Sequence, residues 1–334
     1  MPDSSIWLFG LIIALAIGFG VVNGFNDAAN AIAASIGSRA LSPRNALIIA
    51  VIANMTGAMT GLAVAQTIGK GILIDEAISN LTVISALLAV IVWGIIATYW
   101  GLPVSITHSF VASLAAAGVV VAGGGAIVWS VMQRVATSVV AAPVLGFIGG
   151  FVLMIVIFWI FRRSAPASMR TVFSRLQWLT TAFMAYSHGK NDGQMPIGVI
   201  TMALVIYKGQ TELWDNIPLW IIIVSALAIS SGMAAGGWRV IRTVGVRVTN
   251  LQPVHGFATQ AAAATVIEVA SSLGIPVSTT HCVSSAVMGV GATRRLSAVR
   301  WGVAGNIIAA WILTFPICGG LGYLFAWLLK PLFY

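Results

Sequence analysis

The stretches GLPVSITH (residues 101–108) and GIPVSTTH (residues 274–281) are two copies of one polar octapeptide, and each lies inside strongly apolar sequence. The copies share six of their eight residues. In each copy, the proline ends a preceding helix, and the serine two positions later stands where the N-cap of a new helix is expected. Each octapeptide therefore predicts a broken helix or a helical hairpin within an apolar region.

The composition of the chain excludes a soluble globular protein. Of its 334 residues, 59% are hydrophobic and only 7% are charged, whereas soluble domains carry roughly 25% charged residues. Apolar runs close to the ~20 residues that span a bilayer recur along the chain, for example residues 6–22, 83–100, 141–161, 220–235 and 307–329. The predicted fold class is an all-α polytopic membrane protein, with the lipid bilayer of the cell membrane as its surroundings.

The charged residues lie mainly in loops, and their signs predict the orientation of the chain. Four loops are basic and two lean acidic. In chain order they span residues 39–44 (basic), 70–76 (acidic-leaning), 162–175 (basic), 208–215 (acidic-leaning), 239–247 (basic) and 294–300 (basic). With the N-terminus outside, all four basic loops fall in the cytoplasm, in agreement with the positive-inside rule. The net charge of +9 is therefore an orientation signal, and we expect no nucleic-acid binding.

A second pair of motifs precedes the octapeptides in the same order. GFNDAANAI (residues 24–32) precedes the first octapeptide, and GKNDGQMPI (residues 189–197) precedes the second. With the basic loops assigned to the cytoplasm, the two halves cross the membrane in opposite orientations. We therefore predict two inverted-topology repeats with interrupted helices and helical hairpins, which are typical of secondary transporters. The predicted organisation is a first repeat over residues 1–161, a cytoplasmic basic linker over 162–175 and a second repeat over 176–334.

Three acidic residues lie in apolar context, where a charge is costly and predicts a function. Asp27 and Asp192 occupy equivalent positions of the two motifs, and each follows an asparagine, Asn26 or Asn191. Carboxylate and amide oxygens at a helix break suit Na⁺, and a carboxylate alone suits a proton. The alternative interpretation is that each aspartate caps a half-helix. Glu268 has no counterpart in the first half and is expected to face a cavity or to pair with a nearby base.

The octapeptides predict a site for an anion. A helix that begins inside the membrane offers free N–H groups to an oxyanion. Hydroxyl groups of both copies are expected to converge on it, namely those of Ser105, Thr107, Ser109, Ser278, Thr279 and Thr280. The alternative is a pair of capped helix starts that pack for structural reasons only. Two copies, each joined to an Asn-Asp motif, favour the functional interpretation.

Other polar residues of the motifs have open roles. His108, His188 and His281 are three of the four histidines of the chain, and the sequence leaves two roles open for them, a proton relay or an anion contact. Lys190 is expected to pair with Asp192 or to attract anions toward the site. Phe25 stands at the corresponding position of the first motif, so this feature is not symmetric.

The doubled motifs, GFNDAANA with GKND and GLPVSITHS with GIPVSTTHC, resemble those of the inorganic phosphate transporter (PiT) family, as does the tail GVGATRRLSAVRWGVAGNI. The resemblance covers nearly the whole chain. It implies a symporter of inorganic phosphate with Na⁺ or H⁺, with two inverted repeats, no cofactor and no enzymatic activity. Carried over to this sequence, phosphate is expected at Ser105, Thr107, His108, Ser109, Gln194, Ser278, Thr279, Thr280 and His281. The cation, with Na⁺ as one option at Asp27 and Asp192, is expected at Asn26, Asp27, Asn30, Asn191 and Asp192.

The chain departs from the family pattern in places. Asn54 and Gln260 stand where many members carry glutamate, and Met195 replaces a lysine-like position. These departures affect the choice and number of coupling ions more than the substrate. Another tetrahedral oxyanion such as sulfate is the main alternative substrate. An uncoupled channel or an intramembrane enzyme is less consistent with carboxylates distributed by repeat symmetry. A homodimer, and rocking or elevator-like motion, are compatible with the sequence.

Overall fold

The computed structural model describes residues 5–333, and these residues form fourteen α-helices joined by short turns. Between residues 5 and 333, β pairing is limited to one isolated bridge, between Leu73 and Ile127. The nearly all-helical architecture confirms the all-α fold class. Apart from Phe161, the last residue of one run, the predicted apolar runs lie within helices. In a membrane, a helix satisfies the backbone polar groups of such a run internally.

The helices of the first half include one that is interrupted at Asp27. They are α1 (Ile6–Asn26), α2 (Ala28–Gly37), α3 (Pro43–Ala58), α4 (Ala63–Lys70), α5 (Asn80–Trp100), α6 (Ile106–Ala122) and α7 (Trp129–Ile160). The first octapeptide lies between α5 and α6, and the first Asn-Asp motif lies where α1 ends.

The second half repeats this order of elements. Its helices are α8 (Pro166–Asp192), α9 (Gln194–Lys208), α10 (Leu219–Ala235), α11 (Trp238–Arg242), α12 (Pro253–Ser272), α13 (Thr279–Ala292) and α14 (Trp301–Phe333). α8 begins at Pro166, because proline is well suited to the first helical position. Residues 166–175 of the proposed linker are therefore the start of this helix, and the non-helical part of the linker is short.

Several helices are long and apolar enough to cross a membrane. Five candidate spans satisfy this criterion within the described residues, or up to seven if two bent helix pairs each count as one span. The bent pairs are α3 with α4, at 67°, and α10 with the segment Trp238–Arg247, at 61°. These pairs hold the same place in the element order of their halves. The chain is thus a multi-pass membrane protein, and its orientation stays a prediction.

The two halves pack against each other through equivalent helices. α1 packs on α10 and α8 packs on α3, while α6 packs on α14 and α13 packs on α7. The shorter helices follow the same rule, since α4 packs on α9 and α2 packs on α11. Such exchanged contacts are those that a two-fold arrangement of repeats produces. The inverted sense of the repeats relative to a membrane is not tested by these contacts and stays a prediction.

Glycines allow the closest of these approaches. A Cβ atom built on Gly24 of α1 would overlap the backbone carbonyl of Ile229 in α10. A Cβ atom on Gly57 of α3 would overlap the carbonyl of Tyr186 in α8. Small residues at helix contacts let backbones approach closely in membranes, where packing is a main source of helix association. The two glycines are thus required by the contact between the halves.

We expect the substitutions Gly24→Ala and Gly57→Ala to destabilise the protein by about 1–3 kcal/mol each, because the added methyl group forces packed backbones apart. The thermal unfolding midpoint of the purified protein in detergent measures the effect. Gly10→Ala and Gly302→Ala are matched controls, since no atom lies within 4 Å of a Cβ at either position. Equal unfolding midpoints for Gly24→Ala and Gly10→Ala would contradict this account of the packing.

Candidate functional site

The octapeptides form the helix breaks that the sequence predicts. Gly101 and Gly274 have φ of 69° and 68°, a left-handed conformation that glycine adopts without steric cost. The chain then runs extended through the proline to the serine. Ser105 Oγ accepts a hydrogen bond from His108 N at 3.1 Å, and Ser278 Oγ accepts one from His281 N at 3.1 Å. Both serines thus cap the helices that follow, α6 and α13.

The carboxylate of Asp27 lies at the break between α1 and α2 and is completely buried. Its Oδ1 accepts a hydrogen bond from Thr280 Oγ1 at 2.8 Å, and its Oδ2 accepts one from Ile106 N at 3.1 Å. Asn30 Nδ2 donates to the same Thr280 Oγ1 at 2.8 Å. Thr280 belongs to the octapeptide of the second half. The first-half aspartate is therefore held by the second-half threonine.

The carboxylate of Asp192 has the reciprocal arrangement at the end of α8. Its Oδ1 accepts a hydrogen bond from Thr107 Oγ1 of the first half at 3.1 Å, and its Oδ2 accepts one from Thr279 Oγ1 at 2.8 Å. His188 Nε2 lies 2.9 Å from Oδ2, and His188 Nδ1 lies 2.7 Å from Asn54 Oδ1. Every one of these side chains is buried. An imidazole thus accompanies this carboxylate, whereas Asp27 has none.

The asparagines of the motifs hold the octapeptide of their own half. Asn191 Nδ2 donates to Val277 O at 2.7 Å and to Asp192 Oδ1 at 2.7 Å. When its amide nitrogen faces the available acceptors, Asn26 makes the equivalent contacts, 3.3 Å to Val104 O and 3.2 Å to Asp27 Oδ1. In both halves the asparagine therefore fixes the extended segment, while the aspartate accepts from the opposite half.

The histidines of the octapeptides form an aromatic layer against α14. The rings of His108 and His281 meet edge to face, with centroids 5.1 Å apart. His281 stacks on Trp311 at 4.0 Å, and His108 stacks on Phe315 at 5.4 Å. Within the described residues, neither ring nitrogen of His108 has a hydrogen-bond partner, although the ring is fully buried. The layer closes one side of the region where the octapeptides meet.

Two other residues predicted to bind phosphate are engaged with backbone groups. Ser109 Oγ donates to Ser105 O at 2.7 Å. Gln194 Oε1 accepts from Val64 N at 2.9 Å and from Ala65 N at 3.1 Å, at the start of α4. Three of the nine residues predicted to bind phosphate are threonines that donate hydrogen bonds to the two carboxylates. The two serines of the octapeptides cap helices, the two histidines belong to the aromatic layer, and Ser109 and Gln194 bond to backbone groups. The phosphate role of all nine stays a prediction.

Lys190 pairs with Glu268 of α12 and not with Asp192. Its Nζ also donates to Ser272 Oγ at 3.1 Å, and Glu268 Oε2 accepts from Ser187 Oγ at 3.4 Å. The side chains of the pair are 17% and 26% exposed. Of the two roles that the sequence left open for Glu268, facing a cavity or pairing with a base, the structure thus shows the second.

Some polar residues of the site were not singled out from the sequence. Asn23 lies one helical turn before Asp27, is fully buried, and neither of its amide atoms has a partner within residues 5–333. Aligning the two halves on their Asn-Asp motifs pairs Asn23 with His188. That alignment was the signal that could have found Asn23, since His188 was already singled out. Gln260, one of the departures from the family pattern, donates from Nε2 to Ala31 O at 2.9 Å and so ties α12 to α2.

The donor set suits an alkali cation or a proton better than a transition metal. Within residues 5–333, no three His, Cys, Asp or Glu side chains converge. Hydroxyl and amide groups lie beside each carboxylate, and the imidazole of His188 lies beside Asp192 as well. Carboxylate, hydroxyl and amide oxygens are the hard ligands that alkali and alkaline-earth cations prefer.

Comparison with known proteins agrees with this geometry. The model of the phosphate transporter family matches the chain twice, over residues 23–172 and 161–322. A "Probable low-affinity inorganic phosphate transporter" of Bacillus subtilis (strain 168) is 38% identical over 325 residues, which cover 97% of each chain. A protein of the same description from Rhizobium meliloti (strain 1021) is 37% identical, with 91% of each chain covered.

A solved structure is also similar over nearly its whole length. It is a sodium-dependent phosphate transporter, with a TM-score of 0.91 and 29% sequence identity, and the match covers 98% of this chain and 100% of that one. These relatives are transporters, which confirms the prediction that the chain is not an enzyme. The double match of one family model and the extent of the relatives confirm the resemblance drawn from the doubled motifs. The chain belongs to the phosphate transporter family.

Proposed function

We propose that this chain imports inorganic phosphate by symport with a cation, either Na⁺ or H⁺. The observation that carries the proposal is the exchange of hydrogen bonds at the centre, where Thr280 donates to Asp27 and Thr107 donates to Asp192. It joins the candidate anion ligands to the candidate cation ligands. The relatives described as phosphate transporters support the substrate, and the sodium-dependent neighbour supports a coupling cation.

The threonine hydroxyls supply a physical link between the two ligands. An ionised carboxylate only accepts hydrogen bonds, and a threonine hydroxyl has one hydrogen to donate. With that hydrogen donated to Asp27 or Asp192, a threonine has none left for phosphate. A cation bound at the carboxylate would neutralise its negative charge. The threonine hydroxyl could then direct a lone pair to the cation and donate its hydrogen to phosphate. Phosphate binding would thus require the cation.

The same arrangement explains why phosphate would not bind alone. Two buried carboxylates repel an anion strongly in a medium of low dielectric constant. A bound Na⁺ or proton at Asp27 and at Asp192 removes this repulsion. Asn26 and Asn191 contact these carboxylates, and Asn30 contacts Thr280, which donates to Asp27. The three asparagines would complete the cation ligands.

The proposal includes the orientation of the chain. The basic loops would face the cytoplasm and the N-terminus the outside, as the positive-inside rule requires. The two halves would be inverted repeats whose exchanged helix contacts place the site between them. Transport would then expose this one site to the two sides in turn.

We expect radiolabelled phosphate to accumulate in proteoliposomes under an imposed Na⁺ or H⁺ gradient, and the gradient that drives accumulation identifies the cation. Asp27→Asn and Asp192→Asn should each lower this uptake about tenfold or more, because a hydrogen-bonded charge is worth roughly 1.5–3 kcal/mol. The matched controls Asp75→Asn and Asp215→Asn remove acids from loops, and we expect uptake to remain at the wild-type level.

Two results would contradict the proposal. Accumulation of labelled sulfate, with no phosphate uptake under either gradient, would assign the site to another oxyanion. Phosphate flux that ignores both gradients, and that survives in both aspartate variants, would indicate an uncoupled pathway.

We expect Thr280→Val to lower phosphate uptake about tenfold, because the variant leaves Asp27 Oδ1 and Asn30 Nδ2 without their shared partner, at a cost of roughly 1–3 kcal/mol. Thr280→Ser keeps the hydroxyl and serves as the control, with uptake close to the wild type. Initial rates in proteoliposomes measure both variants. Equal rates for the valine and serine variants would show that the hydroxyl has no role.

A further inference from the structure

An open pocket of about 980 Å³ lies at the end of the helix bundle where α2 ends and α8 and α12 begin. Its lining includes Arg39, Arg162 and Arg170 together with the segments around Pro166 and Pro253. None of the residues predicted to bind phosphate or the cation lines it. The pocket is therefore separate from the proposed transport site.

The pocket is positively charged without compensation. Arg39, Arg162 and Arg170 come from three different segments, and no aspartate or glutamate lines the pocket. Within residues 5–333, the ion pairs are Lys190 with Glu268 and His188 with Asp192, so these arginines have no carboxylate within 4 Å. Arginine is the side chain best suited to phosphate groups, which it binds with two parallel hydrogen bonds.

Two helix N-termini add to this charge. α8 begins at Pro166 without a side-chain cap, whereas α12 begins at Pro253 with a capping box formed by Gln252 and His255. The uncapped first turn is therefore that of α8, and α12 contributes mainly the partial charge of its N-terminal end. Both prolines line the pocket. The N-terminal end of a helix carries a partial positive charge, and its unpaired N–H groups bind anions. The pocket thus combines three guanidinium groups with two helix ends of the same sign.

Apolar side chains form much of the remaining lining, beside the polar Ser38, Ser164, Asn250 and Gln252. Phe158, Phe161, Met169, Val246 and Val254 line the pocket beside the arginines. Phe158 is 41% exposed and Val246 is 51% exposed. A free phosphate ion would leave these side chains uncovered, whereas an acyl chain attached to a phosphate headgroup would cover them.

We propose that this pocket binds an anionic phospholipid, with the phosphodiester on Arg39, Arg162 and Arg170 and an acyl chain against Phe158 and its apolar neighbours. Basic pockets between membrane helices commonly bind such headgroups. A pocket of about 540 Å³ elsewhere on the protein is lined by Lys70, Asp75 and Glu76, so its acidic residues outnumber its basic one. A pocket of about 600 Å³ is lined by Arg294, Arg295 and Arg300, but Ala298 is the only apolar residue in its lining. An anionic headgroup that carries an acyl chain is therefore expected in the pocket of Arg39, Arg162 and Arg170, which offers both surfaces.

The test measures lipid binding to the purified full-length protein after detergent exchange, with native mass spectrometry as the readout. Phosphatidylglycerol is titrated against phosphatidylcholine of the same acyl chains. The triple variant R39Q/R162Q/R170Q should bind phosphatidylglycerol about a hundredfold more weakly, since each basic side chain contributes roughly a factor of five near an anionic headgroup. Phosphatidylcholine binding should not change.

The control variant R44Q/R163Q/R175Q removes the same charge from the same two basic stretches of sequence, residues 39–44 and 162–175, and none of its three arginines lines the pocket. It should keep wild-type affinity for phosphatidylglycerol. Equal losses in the two triple variants would overturn the proposal, because they would indicate general charge attraction. Displacement of phosphatidylglycerol by inorganic phosphate would also overturn it and assign the pocket to a free anion.

Folding of the variants is checked by thermal unfolding and size-exclusion chromatography. If the triple variant does not fold, the single variants Arg39→Gln and Arg170→Gln replace it, each with an expected loss of about fivefold. The readout is binding and not transport, so this experiment is independent of the proposed symport. A failure of either proposal leaves the other standing.

Discussion

The structure depends on two buried carboxylates that neither half of the chain satisfies alone. Burying an ionised group is costly unless hydrogen bonds and charges compensate for it. Asp27 accepts a hydrogen bond from Thr280, and Asp192 accepts one from Thr107, and both bonds cross the contact between the halves. The helix breaks and the serine caps orient the octapeptides toward the aspartates of the opposite half. The glycines allow the halves to pack closely enough for these contacts. The halves are consequently interlocked at the centre.

This constraint also relates the motifs to transport. Within each motif the asparagine contacts the octapeptide of its own half, whereas the aspartate accepts hydrogen bonds from both halves. A movement of one half against the other would therefore change the hydrogen bonds of both aspartates. The two aspartates are nevertheless unequal, since His188 accompanies Asp192 while Asn23 occupies the corresponding position near Asp27. In the symport proposal, this difference allows the two sites to favour different cations.

Much of the architecture could be predicted from the doubled motifs, because helix breaks follow from local chemistry. Glycine, proline and serine act on their own backbone, so the caps at Ser105 and Ser278 are readable from residues 101–108 and 274–281. Contacts between distant helices are not local. The sequence alone left the partner of Lys190 open between Asp192 and an anion, whereas Glu268 holds it from α12, 78 residues away. Likewise, Gln194, the first residue of α9, accepts hydrogen bonds from the start of α4. These contacts depend on the packing of α4 on α9, which no motif encodes.

A double-mutant cycle of Asp27→Asn and Thr280→Val, read as shifts in the thermal unfolding midpoint, tests the exchanged contact most directly. We expect the double variant to be destabilised by clearly less than the sum of the single variants, with a coupling of about 1–3 kcal/mol. Because unfolding is measured on the purified protein, the cycle remains informative even if both single variants are inactive. Additive effects, within about 0.5 kcal/mol, would contradict the claim that each half holds the carboxylate of the other.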